Sequence, residues 1–223
     1  KLRSLFEGII PDNKIHVVPN GRNFHWSFDT KKYDTGNEKI RVLYLSNFDR
    51  TKGVLDVLNS IPLVLEKYKN VEFLFAGAWC DESVKDEMLE MAENNPDYPI
   101  DIIGKVVGEE KFDLLNNVNL FVFPTYYPPE GHPWAIVEAM AAGLPVISAD
   151  QGAITESVVD GINGYIVKKQ DPSDVAEKIL TLCHDIRLIR RMGMESRRIY
   201  EEEFTEKRMV ERMSAAFNAA FNQ

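Results

Sequence analysis

The sequence has 223 residues, of which 44% are hydrophobic and 27% are charged, values close to the average for folded, water-soluble domains. This composition excludes a disordered chain, and no apolar run reaches the ~18 residues that a membrane-spanning helix needs. The formal charge of −9 argues against nucleic acid as the main partner, because binding to a phosphate backbone requires dense Lys and Arg.

Short apolar runs alternate with segments of helical period along most of the chain. Ile15 to Asn20 is predicted as an early strand that leads into a turn at Asn20-Gly21. From Arg41 onward the predicted strands are 41–47, 71–78, 100–106, 120–127, 145–150 and 164–167. The predicted helices are 54–68, 84–94, 109–118, 133–142 and a short one near 154–159. The alternation predicts a βαβα arrangement.

Uniformly apolar strands are covered on both faces, so the expected fold class is α/β, a Rossmann-like parallel sheet with helices on both faces. The length favours one domain, residues 1–223. A helical C-terminal tail is expected from Asp171, with Pro172 as its first position and an amphipathic segment from Thr205 to Phe221. Pro62 predicts a kink or break of the first helix near Ser60. The two cysteines, Cys80 and Cys183, are interpreted as buried thiols.

Ligands of an open parallel sheet bind beyond the carboxyl ends of its strands. The loops that follow the predicted strands there are rich in polar residues and glycine: Ser46 to Gly53, Gly77 to Asp81, Gly104 to Glu109, Thr125 to Pro133 and Asp150 to Thr155. Pro133 is suited to the first position of a helix, which leaves the amides of Gly131, His132 and Trp134 at the positive end of the helix dipole. Such an end favours an anion or sugar hydroxyls.

Two carboxylates flank the start of this helix. Glu130 lies in the loop before it and Glu138 lies in its second turn, so both can face one ligand. Carboxylates accept hydrogen bonds from sugar hydroxyls. A single Glu at either position would be more simply explained as a solvated charge.

The segment Glu130-x7-Glu138, followed by EAMAAGLPVI and ESVVDGINGYIV, resembles the signature of retaining glycosyltransferases of the GT-B fold, the large family typified by bacterial mannosyl- and glucosyltransferases (group 1, or family 4). The resemblance extends from Ile15 to Phe221 and includes VVPNG, SNFDRTKGV, LFAGA and IIGKV in the expected order. It implies the C-terminal, donor-binding half of such an enzyme. The N-terminal acceptor-binding domain is expected to lie outside this sequence and to complete the cleft in the parent protein.

The resemblance also implies roles for single residues. Lys52 would bind the donor diphosphate, Glu130 would stabilise the oxocarbenium charge on the donor sugar, and Glu138 would accept the ribose hydroxyls. Gly131, His132, Pro133 and Trp134 would contact sugar or phosphate at the helix start, and the base would lie near Lys105 and Val106. Asn47 stands where many members carry an arginine, and Arg50 is the nearest cation that could replace it.

No cofactor is expected, and the donor would be a UDP-, GDP- or ADP-sugar. The sequence contains no Asp-x-Asp metal motif, in agreement with the metal-independent reaction that the resemblance implies. The expected partners are the nucleotide-sugar and the N-terminal domain, not nucleic acid. We expect a cytoplasmic protein, whose full-length form would reach a membrane only peripherally, through the other domain.

Two alternatives come from other classes of protein. One is a regulatory module that binds a nucleotide-sugar without transferring it; Lys52, Glu130 and Glu138 favour the enzyme, because a sensor has no need of a group for the leaving phosphate. The other is a dinucleotide oxidoreductase, which the absence of a Gly-x-Gly-x-x-Gly turn after the first strand disfavours.

Overall fold

Six parallel strands form a single sheet in the computed structural model, which describes residues 1–24, 33 and 39–221. The strands are β1 (Ile40–Leu45), β2 (Val71–Ala76), β3 (Ile100–Gly104), β4 (Leu120–Phe123), β5 (Val146–Ala149) and β6 (Gly164–Val167). Their order across the sheet is β3-β2-β1-β4-β5-β6. The predicted parallel α/β sheet is confirmed: β2 to β6 lie within segments predicted as strands, and β1 begins at Ile40, one residue before its predicted segment.

Helices cover both faces of this sheet. They are α1 (Val54–Lys67), α2 (Glu82–Asn94), α3 (Gly108–Asn116), α4 (Trp134–Ala141), α5 (Pro172–Cys183), α6 (Ile186–Glu203) and α7 (Glu206–Phe221). Helix α1 packs against α5, and α4 packs against α6. Right-handed crossovers place α1 and α4 on opposite faces, because the chain moves one way from β1 to β3 and the other way from β4 to β6. Strands β4 and β5 are buried along their whole length, as two covered faces require.

The chain reverses its direction of travel across the sheet between β1 and β4. Strand β1 pairs with β2 on one side, with Ile40 opposite Val71, and with β4 on the other, with Val42 opposite Leu120. At such a switch point the loops that leave the two strands diverge to opposite faces and leave a crevice. The loops after β1 and β4 are those that carry Lys52 and Glu130.

Helix α1 runs through Pro62 without interruption, so the predicted break near Ser60 is wrong. The Ser60 hydroxyl donates to the Val57 carbonyl at 2.6 Å, which keeps a hydrogen bond within the turn before the proline. Ile61 and Val64 are fully buried on either side of Pro62. Burial of this apolar face stabilises the helix enough to outweigh the one backbone bond that proline removes.

Residues 15–20 form no strand, and the prediction for Ile15 to Asn20 is wrong. The Asn20 side chain donates to the His132 carbonyl at 2.7 Å, and the Arg22 amide donates to the Phe204 carbonyl at 3.0 Å. The Asn20 side chain therefore ties the segment to the loop before α4, and Arg22, just after the segment, bonds to Phe204 at the end of α6. Val17 is 51% exposed, which explains why its apolar character does not indicate a core strand.

The C-terminal tail is helical, as predicted. Asp171 caps α5 by accepting a hydrogen bond from the Asp174 amide at 3.0 Å, with Pro172 as the first helical residue. Helix α7 contains no buried residue, and Val210, Met213 and Phe217 on it are exposed. Cys183 is buried but Cys80 is exposed, so the interpretation of both cysteines as buried thiols is wrong for Cys80. None of the described helices is both long and apolar enough to cross a membrane.

Candidate functional site

The loops that follow the strands meet the first turn of α4 at the carboxyl edge of the sheet. Helix α4 begins at Trp134. Pro133 is therefore the N-cap residue and not the first helical residue that the sequence predicted. Glu130 precedes the helix, and Glu138 lies in its second turn, as predicted. The N-terminus of α4 therefore directs unpaired backbone amides and a positive partial charge towards this edge.

Lys52 and Glu130 form an ion pair across the switch point. The Lys52 Nζ lies 2.8 Å from Glu130 Oε2, and the Thr125 hydroxyl donates to the same oxygen at 3.2 Å. The ammonium also lies 3.9 Å from the centre of the Tyr127 ring, within the range of a cation–π contact. Both charged side chains are largely buried, at 19% and 10% exposure. A cation and an anion are thus held close together in a partly desolvated crevice.

The loop that carries Lys52 is fixed by close contact with the loop after β4. Gly53 has φ of +77°, and a Cβ there would lie 2.4 Å from the Pro124 carbonyl oxygen. The Tyr126 amide donates to the Thr51 carbonyl at 2.8 Å. A side chain at position 53 would push these loops apart, so glycine at this position keeps Lys52 near Glu130.

A third loop supports Glu130 from the side of β5. Gly152 has φ of +56°, and a Cβ there would lie 2.1 Å from the Glu130 carbonyl oxygen. The Ala153 amide donates to the Gly131 carbonyl at 2.9 Å. The backbone around Glu130 is therefore held between the loops that follow β4 and β5.

Glu138 is only 6% exposed and forms an ion pair with Lys111 of α3. Burial of a carboxylate is costly unless an opposite charge and hydrogen bonds compensate for it, which explains the pairing. Sequence reasoning missed Lys111. Its position 27 residues before Glu138, on another helix, gave no local signal of the contact.

The side chains of Arg50 and Asn47 are not bonded to the Lys52–Glu130 pair. The Arg50 guanidinium donates to the Ser83 hydroxyl at 3.1 Å and pairs with Glu87 of α2, which raises the pKa of Arg50 above its usual value. Asn47 is exposed, and its backbone carbonyl accepts a hydrogen bond from the Tyr44 hydroxyl at 3.2 Å. The place of the usual arginine is thus not filled by the side chain of Arg50 in this structure.

His132 faces the protein interior. Its Nε2 lies 2.7 Å from the Ser157 hydroxyl, and its ring centre is 5.0 Å from that of Phe204. Burial lowers the pKa of His132 to about 4, so the ring is neutral near pH 7. The side chain lines a cavity of about 310 Å³ together with Val18 and Phe204.

The other predicted contact residues lie on the surrounding loops. Gly131 has open space where a side chain would stand, and Trp134 is 43% exposed. Lys105 is exposed and Val106 is buried, both just after the left-handed turn at Gly104. Their roles towards sugar, phosphate and base stay predictions.

Asp56, in the first turn of α1, is a further unusual carboxyl beside this crevice. Its Oδ2 is buried without a hydrogen-bond partner in the part of the chain that the structure describes. Burial, with a smaller contribution from the negative charge of Asp171, raises the pKa of Asp56 to about 6. Within residues 1–24, 33 and 39–221, no three His, Cys, Asp or Glu side chains are grouped as metal ligands would be.

Sequence comparison identifies the relatives of the chain. The family model described as "Glycosyl transferases group 1" matches residues 39–185. The capsular polysaccharide biosynthesis glycosyltransferase CapM of Staphylococcus aureus is 27% identical over 98% of this chain and 59% of its own length. The chain spans about half the length of the curated relatives it matches. These relatives are glycosyltransferases, which favours the enzyme over the regulatory module.

Solved structures agree on the fold. A variant of S. aureus TarM superposes with a TM-score of 0.77 at 24% identity, over 97% of this chain and 42% of TarM. A glycosyltransferase from Rickettsia africae superposes with a TM-score of 0.81 at 19% identity, over 100% of this chain and 62% of that protein. The fold is that of one half of a GT-B enzyme, and the chain belongs to the group 1 glycosyltransferase family.

Proposed function

We propose that this chain is the donor-binding domain of a retaining glycosyltransferase, which transfers a hexosyl unit from a nucleotide-sugar to a glycan, lipid or small-molecule acceptor. The observation that carries the proposal is the ion pair of Lys52 and Glu130 at the N-terminus of α4, with Glu138 one turn further along the helix. The S. aureus TarM variant to which the chain is similar is bound to UDP, which supports a nucleotide donor.

The donor would lie along the carboxyl edge of the sheet. Its diphosphate would take the Lys52 ammonium and the amides at the start of α4, and its ribose would donate to Glu138. The Lys52 ammonium lies 2.8 Å from the Glu130 carboxylate. A bound diphosphate would replace Glu130 as the partner of Lys52, and the Glu130 carboxylate would then be free to contact the sugar. Placement of opposite charges at both ends of the breaking bond is a form of electrostatic preorganisation.

Departure of the diphosphate leaves positive charge on the anomeric carbon and negative charge on the leaving oxygen. Glu130 would stabilise the first and Lys52 the second, without a metal ion. A phosphate oxygen of the leaving group would accept the acceptor's proton, on the face from which the acceptor attacks, so that the configuration is retained. His132, neutral and paired with Ser157, has no part in this proton transfer.

The acceptor site would come from an N-terminal domain of the same parent protein. In the cell we expect the parent in the cytoplasm, with any membrane contact peripheral and made through that other domain. Neither a cofactor nor nucleic acid is required for the reaction proposed.

Calorimetric titration with UDP, GDP and ADP tests donor binding directly. We expect at least one nucleotide to bind, and we expect Glu138→Gln to weaken it by about 1.5–3 kcal/mol because a charged hydrogen bond to ribose is lost. Glu72→Gln is the matched control, since Glu72 is paired with Arg41 near the opposite edge of the sheet. Absence of binding heat with all three nucleotides, from a sample shown to be folded, would contradict the proposal.

A further inference from the structure

The buried ion pair of Lys111 and Glu138 has unused hydrogen-bonding capacity on both partners. Glu138 Oε1 accepts from the Lys111 ammonium, while Oε2 has no hydrogen-bond partner among the described residues. An ammonium has three N–H donors, and Lys111 uses one of them in this contact. An acceptor and two donors therefore remain side by side.

The position of the pair gives it access to a ligand. Glu138 lies in the second turn of α4, whose N-terminus faces the crevice. Lys111 lies in the first turn of α3, just after the loop that contains Lys105 and Val106. The Lys111 side chain remains 23% exposed, while that of Glu138 is 8% exposed. The Lys111 side chain is thus the more solvent-accessible partner of the pair.

Such a pair matches the hydrogen-bonding chemistry of a vicinal diol. One hydroxyl can donate to Oε2 of Glu138, and the oxygens of the two hydroxyls can accept from the Lys111 ammonium. A sugar that lacks these hydroxyls leaves Oε2 of the buried carboxylate and two N–H donors of the ammonium without partners. Sites of this kind reject a ligand that lacks the hydroxyl more strongly than apolar pockets reject an extra group.

We propose that Lys111 binds the ribose of the donor nucleotide together with Glu138, and that this pair selects ribonucleotides over deoxyribonucleotides. The inference rests on the proposed function, because it places the nucleotide on α4. It adds a residue that the sequence pattern does not mark, and it gives the buried cation a role beyond neutralising Glu138.

The test compares affinities for UDP, GDP and ADP with those for their 2′,3′-dideoxy forms. We expect Lys111→Met to weaken the ribonucleotide about 10-fold or more and to leave the dideoxy form nearly unchanged. Lys178→Met is the matched control, since Lys178 pairs with Glu177 and its side chain is 25% exposed, but it lies on α5. This control should bind both forms like the wild type.

A second comparison, made in the Glu138→Gln variant, tests whether Lys111 contacts the ribose directly or only holds Glu138 in place. In Glu138→Gln, loss of Lys111 should still weaken ribonucleotide binding several-fold if the ammonium contacts ribose itself. No further loss in that background would overturn the proposal, as would an equal effect on ribo- and dideoxynucleotides. If Lys111→Met does not fold, Lys111→Gln keeps one donor type and should give a smaller loss, again confined to the ribonucleotide.

The wild-type titration distinguishes this inference from the function on which it rests. Binding of none of the three nucleotides overturns both. Binding by the wild type, with unchanged affinity in a folded Lys111→Met or Lys111→Gln variant, overturns only the role of Lys111.

Discussion

Asp56 and His132 are two partly buried groups whose pKa values are shifted in opposite senses. Burial favours the protonated form of Asp56, with a pKa of about 6, and the deprotonated form of His132, with a pKa of about 4. Both shifts favour the uncharged side chain. Asp56 therefore contributes to stability below its unfolded pKa and loses that contribution as the pH rises through about 6. His132 contributes above its unfolded pKa and loses its contribution as the pH falls through about 4.

Substitution of Asp56 by Asn should separate the contribution of Asp56 to stability from that of His132. Asn resembles the protonated acid in shape and carries no charge at any pH. We expect Asp56→Asn to match the wild type near pH 4 and to become more stable above pH 6, by about 2–3 kcal/mol at most, because only the wild type must bury a charge there. Urea denaturation from pH 4 to pH 8 measures the difference.

Asp86→Asn is the control, because Asp86 is exposed on α2. Its difference from the wild type should not depend on pH over the same range. A gain for Asp56→Asn that was constant with pH would mean that the carboxyl is already ionised in the folded state at pH 4.

Single residues of the site differ in how far the sequence predicts them. Glu130 and Glu138 follow from a motif with fixed spacing, Lys52 follows from the family resemblance of its own loop, and the structure brings Lys52 and Glu130 into contact. Lys111 and Asp56 could not be predicted, because their properties arise from neighbours on other helices. A charge acquires a special environment only when the tertiary fold buries it, and no local pattern records that event.

At the scale of elements, the loops between strands and helices position the site. Gly152 and Gly161 lie in the loops that follow β5, and both have φ in the left-handed region, +56° and +74°. They differ in surroundings: a Cβ at Gly152 would meet the Glu130 backbone at 2.1 Å, whereas at Gly161 nothing lies within 4 Å. Comparing alanine substitutions at the two glycines therefore separates the cost of a left-handed backbone from the cost of a steric clash.

We expect Gly161→Ala to lower the free energy of unfolding by about 1–2 kcal/mol, the cost of a left-handed alanine. Gly152→Ala should lower the free energy of unfolding by a further ~1–3 kcal/mol, because the methyl group must displace the loop that carries Glu130. Equilibrium denaturation of both variants gives the comparison. Equal losses would show that the loop before α4 moves aside freely and does not hold Glu130 firmly.

Strands and helices of the sheet were predictable because each one is encoded by its own apolar pattern. The exceptions are instructive. Residues 15–20 have a strand-like composition but form no strand, and the Asn20 side chain instead bonds to the loop before α4. Pro62 carries a local helix-breaking signal that burial of Ile61 and Val64 overrides. In both places the tertiary environment decides against the local preference.

At the scale of the whole molecule, the chain corresponds to about half of its relatives, 59% of CapM and 42% of TarM. The carboxyl edge that bears Lys52, Glu130 and Glu138 forms one side of a crevice. Transfer between two sugars needs both substrates held in register, which can be worth ~7–11 kcal/mol of the barrier. If this edge is the donor side, as proposed above, it cannot supply that advantage alone.

The purified 223-residue chain should therefore bind donor nucleotide but show negligible transfer, while a parent that joins it to an acceptor domain should be active. In such a parent, Glu130→Gln should lower kcat more than it weakens donor binding, because charge on the sugar develops mainly in the transition state. Assays with radiolabelled donor and a panel of acceptors measure donor binding and the rate of transfer. Robust acceptor-dependent transfer by the monomeric chain would contradict the two-domain model.

The two ion pairs of the crevice have a mechanical consequence. Lys52 and Lys111 precede β4 in the chain, whereas Glu130 and Glu138 follow it, so each pair joins the β1–β3 half of the sheet to the β4–β6 half. Among the strands that the structure describes, these halves meet only where β1 pairs with β4. A ligand that bridges the same side chains must be released before the halves separate. By mass action, a nucleotide at 100 times its Kd adds about 2.7 kcal/mol against unfolding, and that protection falls on the seam between the halves.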